Sequence, residues 1–260
     1  MNTVIVSAAR TPIGSFMGTL FSLRAPELGS IAIREAVRRA GLKPEQISEV
    51  IMGCVLAAGL GQSPARQAAL GAGLPQNVGV LTVNKVCSSG LKSVMLADAM
   101  IRSGEASIFV AGGMESMSNA PYLLPKAREG LRLGDGKIVD SVILDGLWDA
   151  FKNIHMGSCA EMCVREYKLS REAQDAFAVE SYRRALLAEE KGFFQEEIAA
   201  VEIPQRKGSP LKIETDEEPK KVVFEKISGL KPVFEKEGTI TAANASSIND
   251  CAAAVVLMSE

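Results

Sequence analysis

Through residues 3–111, short apolar runs alternate with helix-patterned runs, and this alternation constrains the fold more than any other feature. Residues 3–8, 50–57, 78–83 and 106–111 read as strands, and residues 26–40, 65–72 and 88–101 read as helices between them. The first helix places Leu28, Ile31, Ala32, Ala36 and Val37 near one face. Gly41 stops it, Pro44 opens a further helical turn, and Gly104 ends the third helix. Strand, helix and strand in succession fold most simply as a parallel unit with a right-handed crossover. The expected class is α/β, with a mainly parallel mixed sheet and helices on both faces.

The texture changes after Gly112-Gly113. From about residue 119 to residue 239, charge, Pro and Gly increase and the alternation fades. Helical patterns persist at 158–167 and 171–188, with Ser170 as an N-cap for the second. Residues 207–226 are so charged that they read as a solvated surface segment. Residues 249–259, with the run CAAAVVLMS, return to a buried-strand pattern. The implied organisation is an α/β domain over 1–118, an inserted loop domain over 119–248, and a last strand over 249–260 that rejoins the first domain.

Composition narrows the function classes. With 47% hydrophobic and 23% charged residues, a chain of 260 residues buries a sizeable core. A net charge of −2 opposes nucleic-acid or membrane-surface binding. No apolar run approaches the roughly 20 residues of a membrane span. The opening MNTVIVSAARTPIG reads as a strand, not a signal peptide. Five irregularly spaced cysteines (Cys54, Cys87, Cys159, Cys163, Cys251) suit a reducing, cytoplasmic or matrix compartment.

Cys87 is the leading candidate for chemistry. It stands in VNKVCSSGLKS, where the strand at 78–83 gives way to the helix at 88–101. Unpaired N–H groups at a helix N-terminus favour negative charge, so a thiol there suits nucleophilic chemistry without a metal. Ser88, Ser89 and Gly90 are small enough to let a substrate approach the backbone. Leu91, Val94, Met95 and Met100 give the helix an apolar face that would fix its start. An inert buried thiol is the alternative. The one histidine, His155, has a structural reading as well as a functional one. Cys159 and Cys163 share a helix face, but no second pair completes a zinc site, so no metal is expected. Gly59-Leu60-Gly61 opens no dinucleotide-binding turn. Gly112-Gly113-Met114-Glu115 is expected to close the fourth strand and to allow close backbone packing beside the Cys87 loop.

The residues also carry a resemblance. VNKVCSSGLKSVMLADAMIRSGEASIFVAGGMESMSNAPYLLP resembles the nucleophile signature of the thiolase family, in particular its acetyl-CoA C-acetyltransferase branch. GLGQSPARQAAL, DGLWDAFKNIHMGSCAE and GTITAANASSINDCAAAV continue the likeness, in the family's order, over essentially the whole chain. The resemblance implies an N-terminal thiolase-type half. It implies an acyltransferase that forms acetoacetyl-CoA reversibly from two acetyl-CoA through an acetyl-cysteine. Cys87 would be the acyl-accepting nucleophile, with its own backbone N–H in an oxyanion hole. Asn84-Lys85-Val86 resembles the short-chain type. The resemblance places His155 and Met156 along the pantetheine channel, with Met156 limiting acyl length. It places Leu147, Phe234, Ala242 and Ser246 around CoA, with Ser246 as a hydrogen-bond donor, and it sets Lys220 near the nucleotide end as a point charge. Acetyl-CoA, acetoacetyl-CoA and CoA are then the ligands, and no further cofactor is expected. The family also implies a homo-oligomer, dimer or tetramer, with residues 123–143 as a tetramer-contact loop. The rival readings are a longer-chain 3-ketoacyl-CoA thiolase and a non-catalytic CoA-binding fragment.

In whole family members a second, similar half carries an Asn-Glu-Ala-Phe motif, a Gly-His-Pro histidine and a Cys-x-Gly cysteine. None of these motifs occurs in the 260 residues, and Cys251 lies in a different one. The sequence expectation is a chain without the C-terminal domain. Groups that act as a unit are costly to lose, so little or no condensing activity is expected. Self-association through the apolar face of the Cys87 helix is expected as well.

Overall fold

The structure, a computed structural model, describes residues 2–260. It divides into two compact units. The first runs to Pro121 and includes Glu196–Thr215 and Asn249–Glu260; the second holds Tyr122–Gln195 and Asp216–Ile248. Among the described residues no helix is long and apolar enough to cross a membrane.

The first unit is built from strands β1 (Thr3–Arg10), β2 (Glu49–Gly53), β3 (Gly79–Val83), β4 (Ile108–Ser116), β5 (Val201–Ile203), β6 (Leu211–Ile213) and β7 (Asn249–Ser259). Its helices are α1 (Ala25–Arg39), α2 (Pro64–Gly71) and α3 (Ser89–Ser103). The main sheet runs β1-β7-β4-β2-β3. β2 pairs in parallel with β3 and β4, whereas β7 is antiparallel to both β4 and β1. The expected mixed sheet is thus formed, with β7 wedged between β1 and β4.

Alternation along the strands sorts the core into two layers. Val50 and Met52 of β2, Val110 and Met114 of β4, and Ala252, Ala254 and Val256 of β7 pack with α1 and α2. Ile51, Phe109, Ala111 and Leu257 face the other way, against Ala97 and Ile101 of α3. Small residues bring α3 onto the sheet: its buried positions are Ser89, Ser93, Ala97 and Ile101. Leu91 and Met95, expected to anchor this helix, instead point away and are exposed. Through its first turns, where the helix lies closest to the sheet, only small side chains are buried, and the large Ile101 is buried only in its last turn.

β4 continues through Gly112 and Gly113 to Ser116 instead of closing there. Both glycines serve close packing. A Cβ on Gly112 would stand 2.0 Å from the Ala253 carbonyl oxygen. Gly113 faces Gly90 of α3, with a Cβ-to-Cα distance of 3.4 Å.

The inserted segment is not one continuous loop domain over 119–248, because residues 196–215 belong to the first unit. Val201 of β5 is fully buried in the first core, and Ile203 and Ile213 pack against it. The Arg10 and Ala199 N–H groups donate to the Glu197 and Arg10 carbonyls at 2.9 and 2.7 Å. Arg39 of α1 donates to the carbonyls of Glu196 and Ile198 and is held by Glu35 at 2.7 Å. The charge of 207–226 therefore masks three ordered elements, β6, a 3-10 turn at Glu218–Lys221 and the start of another at Phe224–Gly229. In the second unit, α4 (Met156–Tyr167) and α5 (Arg171–Glu190) carry the fold, and Ser170 caps α5 by accepting the Ala173 N–H at 3.1 Å.

Two stability predictions follow from this packing. Gly112→Val should lower the denaturant midpoint by the equivalent of about 3 kcal/mol or more, through overpacking against β7. Gly229→Ala, where a Cβ meets nothing within 4 Å, should stay within about 0.5 kcal/mol. Arg38 and Arg39 hold the Glu35 carboxyl down to about 2, against burial. A depressed carboxylate stabilises above its unfolded value of 4.5 and loses that contribution as pH falls toward 2. Acid melting curves of Glu35→Gln should therefore be flatter than wild type in that window.

Candidate active site

Cys87 lies in the turn between β3 and α3 and is exposed. It stands one residue before the N-cap, Ser88, and two before the first helical residue, Ser89. Val86, just before it, has φ +49°, in the left-handed region. For a β-branched side chain this conformation costs about 1–2 kcal/mol. The surroundings over-determine it. Asn84 Oδ1 accepts the Val86 N–H at 2.9 Å. Ser89 Oγ donates to the Val86 carbonyl at 2.6 Å and accepts the Lys85 N–H at 2.8 Å. The Ser88 and Ser89 N–H groups donate back to the Lys85 and Val86 carbonyls at 3.2 and 3.0 Å. Gly53 at the end of β2 makes room for this, since a Cβ there would stand 2.6 Å from Ser89 Cβ.

A second loop joins the same end of the sheet. The Cys54 N–H donates to the Val83 carbonyl at 3.0 Å. The Glu115 carboxylate on β4 accepts the Val55 and Leu56 N–H groups at 2.8 and 3.1 Å. Burial pushes the Glu115 carboxyl up, against those two donors. Burial, with Glu115 beside it at 3.6 Å, pushes the Cys54 thiol up strongly, so Cys54 stays protonated and inert.

The other seven candidates, Leu147, His155, Met156, Lys220, Phe234, Ala242 and Ser246, fall in the second unit. His155 precedes α4, and its Nδ1 accepts the Gly157 N–H at 2.9 Å, which leaves the proton of the neutral ring on Nε2. Its ring stacks on Phe234 at 4.9 Å. Gly157 permits this: a Cβ there would stand 2.3 Å from the Phe234 ring. Met156 opens α4 and is 39% exposed. Leu147 closes a π-helical turn, and the next residue, Trp148, pairs with His155 in a two-residue ladder. His155, Met156, Phe234 and the Leu147–Trp148 corner thus share one region.

Ala242 lines a cavity of about 250 Å³ with Tyr182, Lys221, Lys226, Ile227 and Leu230 among its walls. Lys220 does not line it. Its Nζ pairs with Glu189 at 2.7 Å instead. Lys221, beside Glu217 at 2.9 Å, and Lys226 are the cavity's cations, and sequence spacing alone does not distinguish these neighbours. Ser246 is exposed on the segment that also bears Ala242.

That segment is held by a buried carboxylate which the sequence reading missed. Glu161, 1% exposed, accepts the Thr239 and Ile240 N–H groups at 2.8 Å each. Asn244 Nδ2 donates to Asp175 at 2.9 Å, and Asp175 in turn pairs with Arg171 at 2.8 Å. The signal was an acidic residue on the buried face of α4. Among the described residues no group of three or more His, Cys, Asp or Glu is placed to hold a metal ion.

The sequence matches the family profile "Thiolase, N-terminal domain" over residues 3–260. The chain belongs to the thiolase family. It is 58% identical over 259 residues to an acetyl-CoA acetyltransferase of Cupriavidus necator, covering 99% of this chain and 66% of that protein. An acetyl-CoA acetyltransferase of Pseudomonas aeruginosa is 54% identical, with the same two coverages. Among solved structures, the Acat5 thiolase of Ascaris suum, in complex with coenzyme A, superposes with a TM-score of 0.94 at 44% identity, over 100% of this chain and 66% of that one. The chain therefore spans 66% of the length of these relatives. The thiolase assignment fits the α/β fold and the exposed cysteine on its strand-to-helix turn.

Glu161→Ala should leave two N–H groups near Thr239 unpaired at a cost of about 2–3 kcal/mol. Hydrogen exchange should then speed up at Thr239 and Ile240 while β4 and β7 remain protected.

Proposed function

We propose that this chain supplies the acyl-accepting half of an acetyl-CoA C-acetyltransferase. The observation that carries the reading is the exposed Cys87 on a strained, hydrogen-bonded strand-to-helix turn in a thiolase-family chain. The Cys87 sulfur attacks the thioester carbonyl of acetyl-CoA, or the ketone-side carbonyl C3 of acetoacetyl-CoA. The tetrahedral oxyanion that forms needs oriented N–H donors, and a rigid turn supplies them without reorganisation. Collapse from acetyl-CoA expels CoA thiolate, which takes up a proton. Collapse from acetoacetyl-CoA breaks the C2–C3 bond and releases acetyl-CoA after protonation at carbon. Both routes leave acetyl-Cys87. In the forward direction the α-carbon of a second acetyl-CoA attacks this thioester, giving acetoacetyl-CoA and freeing Cys87.

The second unit offers features that suit a CoA thioester. The stacked His155–Phe234 pair beside Met156 presents an apolar wall to a pantetheine arm. Lys221, paired with Glu217 and Glu218, and Lys226 line a largely apolar cavity beside Ala242, and these two lysines are the candidate phosphate contacts there. Ser246 offers a hydroxyl on the same segment. Exposed Leu124, Leu131, Leu133 and Ile138 support an oligomer contact through residues 123–143. Five free thiols support a reducing, cytoplasmic setting.

Carbon–carbon bond formation needs a proton moved at the α-carbon, and neither the Cys-x-Gly cysteine that the resemblance assigns to that step nor the Gly-His-Pro histidine that it assigns to activating the nucleophile occurs in these 260 residues. The 260-residue chain should therefore acetylate Cys87 yet turn over little acetoacetyl-CoA. Intact-mass measurement after brief exposure to acetoacetyl-CoA tests this: one acetyl adduct in wild type and none in Cys87→Ser supports the reading. A folded wild-type chain without the adduct overturns it.

A further inference from the structure

The Cys87 turn contains a device that the acyl-transfer reading does not use. Val86 sits at φ +49°, where a β-branched residue does not rest on its own. The orientation of the next peptide, which carries the Cys87 N–H, follows from the Val86 backbone angles. Something must hold those angles against relaxation. Ser89 is the side chain placed to do so. It is 5% exposed, and its Oγ bridges the turn, donating to the Val86 carbonyl at 2.6 Å and accepting the Lys85 N–H at 2.8 Å.

Ser89 is itself immobilised. It opens α3, its carbonyl accepts the Ser93 hydroxyl at 2.9 Å, and it packs against Gly53, where a built Cβ would stand 2.6 Å from its own Cβ. The hydroxyl thus adds two side-chain bonds to the two backbone bonds that tie the turn to the start of α3. Asn84 adds a second, exposed hook on the Val86 N–H at 2.9 Å.

We propose that Ser89 is a positioning residue for the nucleophile: its hydroxyl holds Val86 in the left-handed conformation and thereby fixes the Cys87 sulfur and N–H for attack. The proposal rests on the reading of Cys87 as the acyl acceptor. It makes Val86 and Ser89 an energetically coupled pair. The hydroxyl matters because residue 86 is strained, and a glycine at 86 adopts the same angles without a clamp.

The test compares wild type, Ser89→Ala, Val86→Gly and the double variant. Two rates are followed at Cys87 by intact mass: acetylation from acetoacetyl-CoA, and alkylation by iodoacetamide across about pH 6–9. Circular dichroism melts establish that each variant is folded. Ser89→Ala should slow acetylation by about tenfold or more, because a misaligned attack geometry is costly. Alkylation, which needs no oriented oxyanion donor, should fall less. Val86→Gly should restore most of the lost rate in the double variant, measured against Val86→Gly alone. A merely structural serine would shift the melts without this rescue. Wild-type acetylation in folded Ser89→Ala, or no rescue in a folded double variant, overturns the proposal. Should Ser89→Ala not fold, Ser89→Cys, which keeps the size but weakens both hydrogen bonds of the hydroxyl, takes its place with the same expected fall and rescue. If wild type is alkylated but never acetylated, the acyl-transfer reading fails. The alkylation rates then decide the clamp: a fall in Ser89→Ala reversed by Val86→Gly supports it, and equal rates overturn it.

Discussion

The first turn of α3 lies so close to the sheet that backbone meets backbone, and the rest of the site depends on this contact. Gly53 faces the main chain of Ser89, where a Cβ would stand 2.6 Å from the Ser89 carbonyl carbon. Gly113 faces Gly90, and Gly112 lets β7 close up against β4. Gly53, Gly113 and Gly90, on two strands and one helix, thus remove the spacing that side chains normally impose between a helix and a sheet. The gain is rigidity at one point. A helix whose start cannot move holds the residues just before it, and Cys87 is among them.

The second unit uses a different device for the same end. Its candidate residues sit on short ladders and turns that bury little apolar surface. Order comes from buried acceptors instead: Glu161 gathers the N–H groups of Thr239 and Ile240, and Asp175 ties Asn244 to Arg171. In a low-dielectric interior such charge-assisted bonds are strong when every member is satisfied. The His155–Phe234 stack over Gly157 follows the same pattern as the α3 contact, with a glycine admitting an aromatic ring where a methyl group would collide.

Much of the first unit was legible in the sequence because its strands are apolar runs that alternate with amphipathic helices. The elements at 3–10, 25–39 and 249–259 carry their periodicity openly. What the sequence hid has physical reasons. The exposed Leu91 and Met95 look like a core stripe, yet the first turns of α3 bury small residues, because proximity to the sheet outranks hydrophobicity there. The return of residues 196–215 to the first unit rests on Arg39 reaching backbone carbonyls 157 and 159 residues away in sequence, which no local pattern encodes. Cys87 was legible from its junction and its neighbours. The clamp on Val86 was not, since a left-handed valine runs against every propensity and only the fold explains it.

The most direct test of this account is the effect of a single methyl group at Gly53. Gly53→Ala should push the start of α3 away from β2 while leaving β4 and β7 paired. Cys87 acetylation from acetoacetyl-CoA should then fall by about tenfold or more in a chain that still melts cooperatively. An unchanged acetylation rate in folded Gly53→Ala would show that the close helix–sheet contact does not position the nucleophile, and the account would be wrong at its centre.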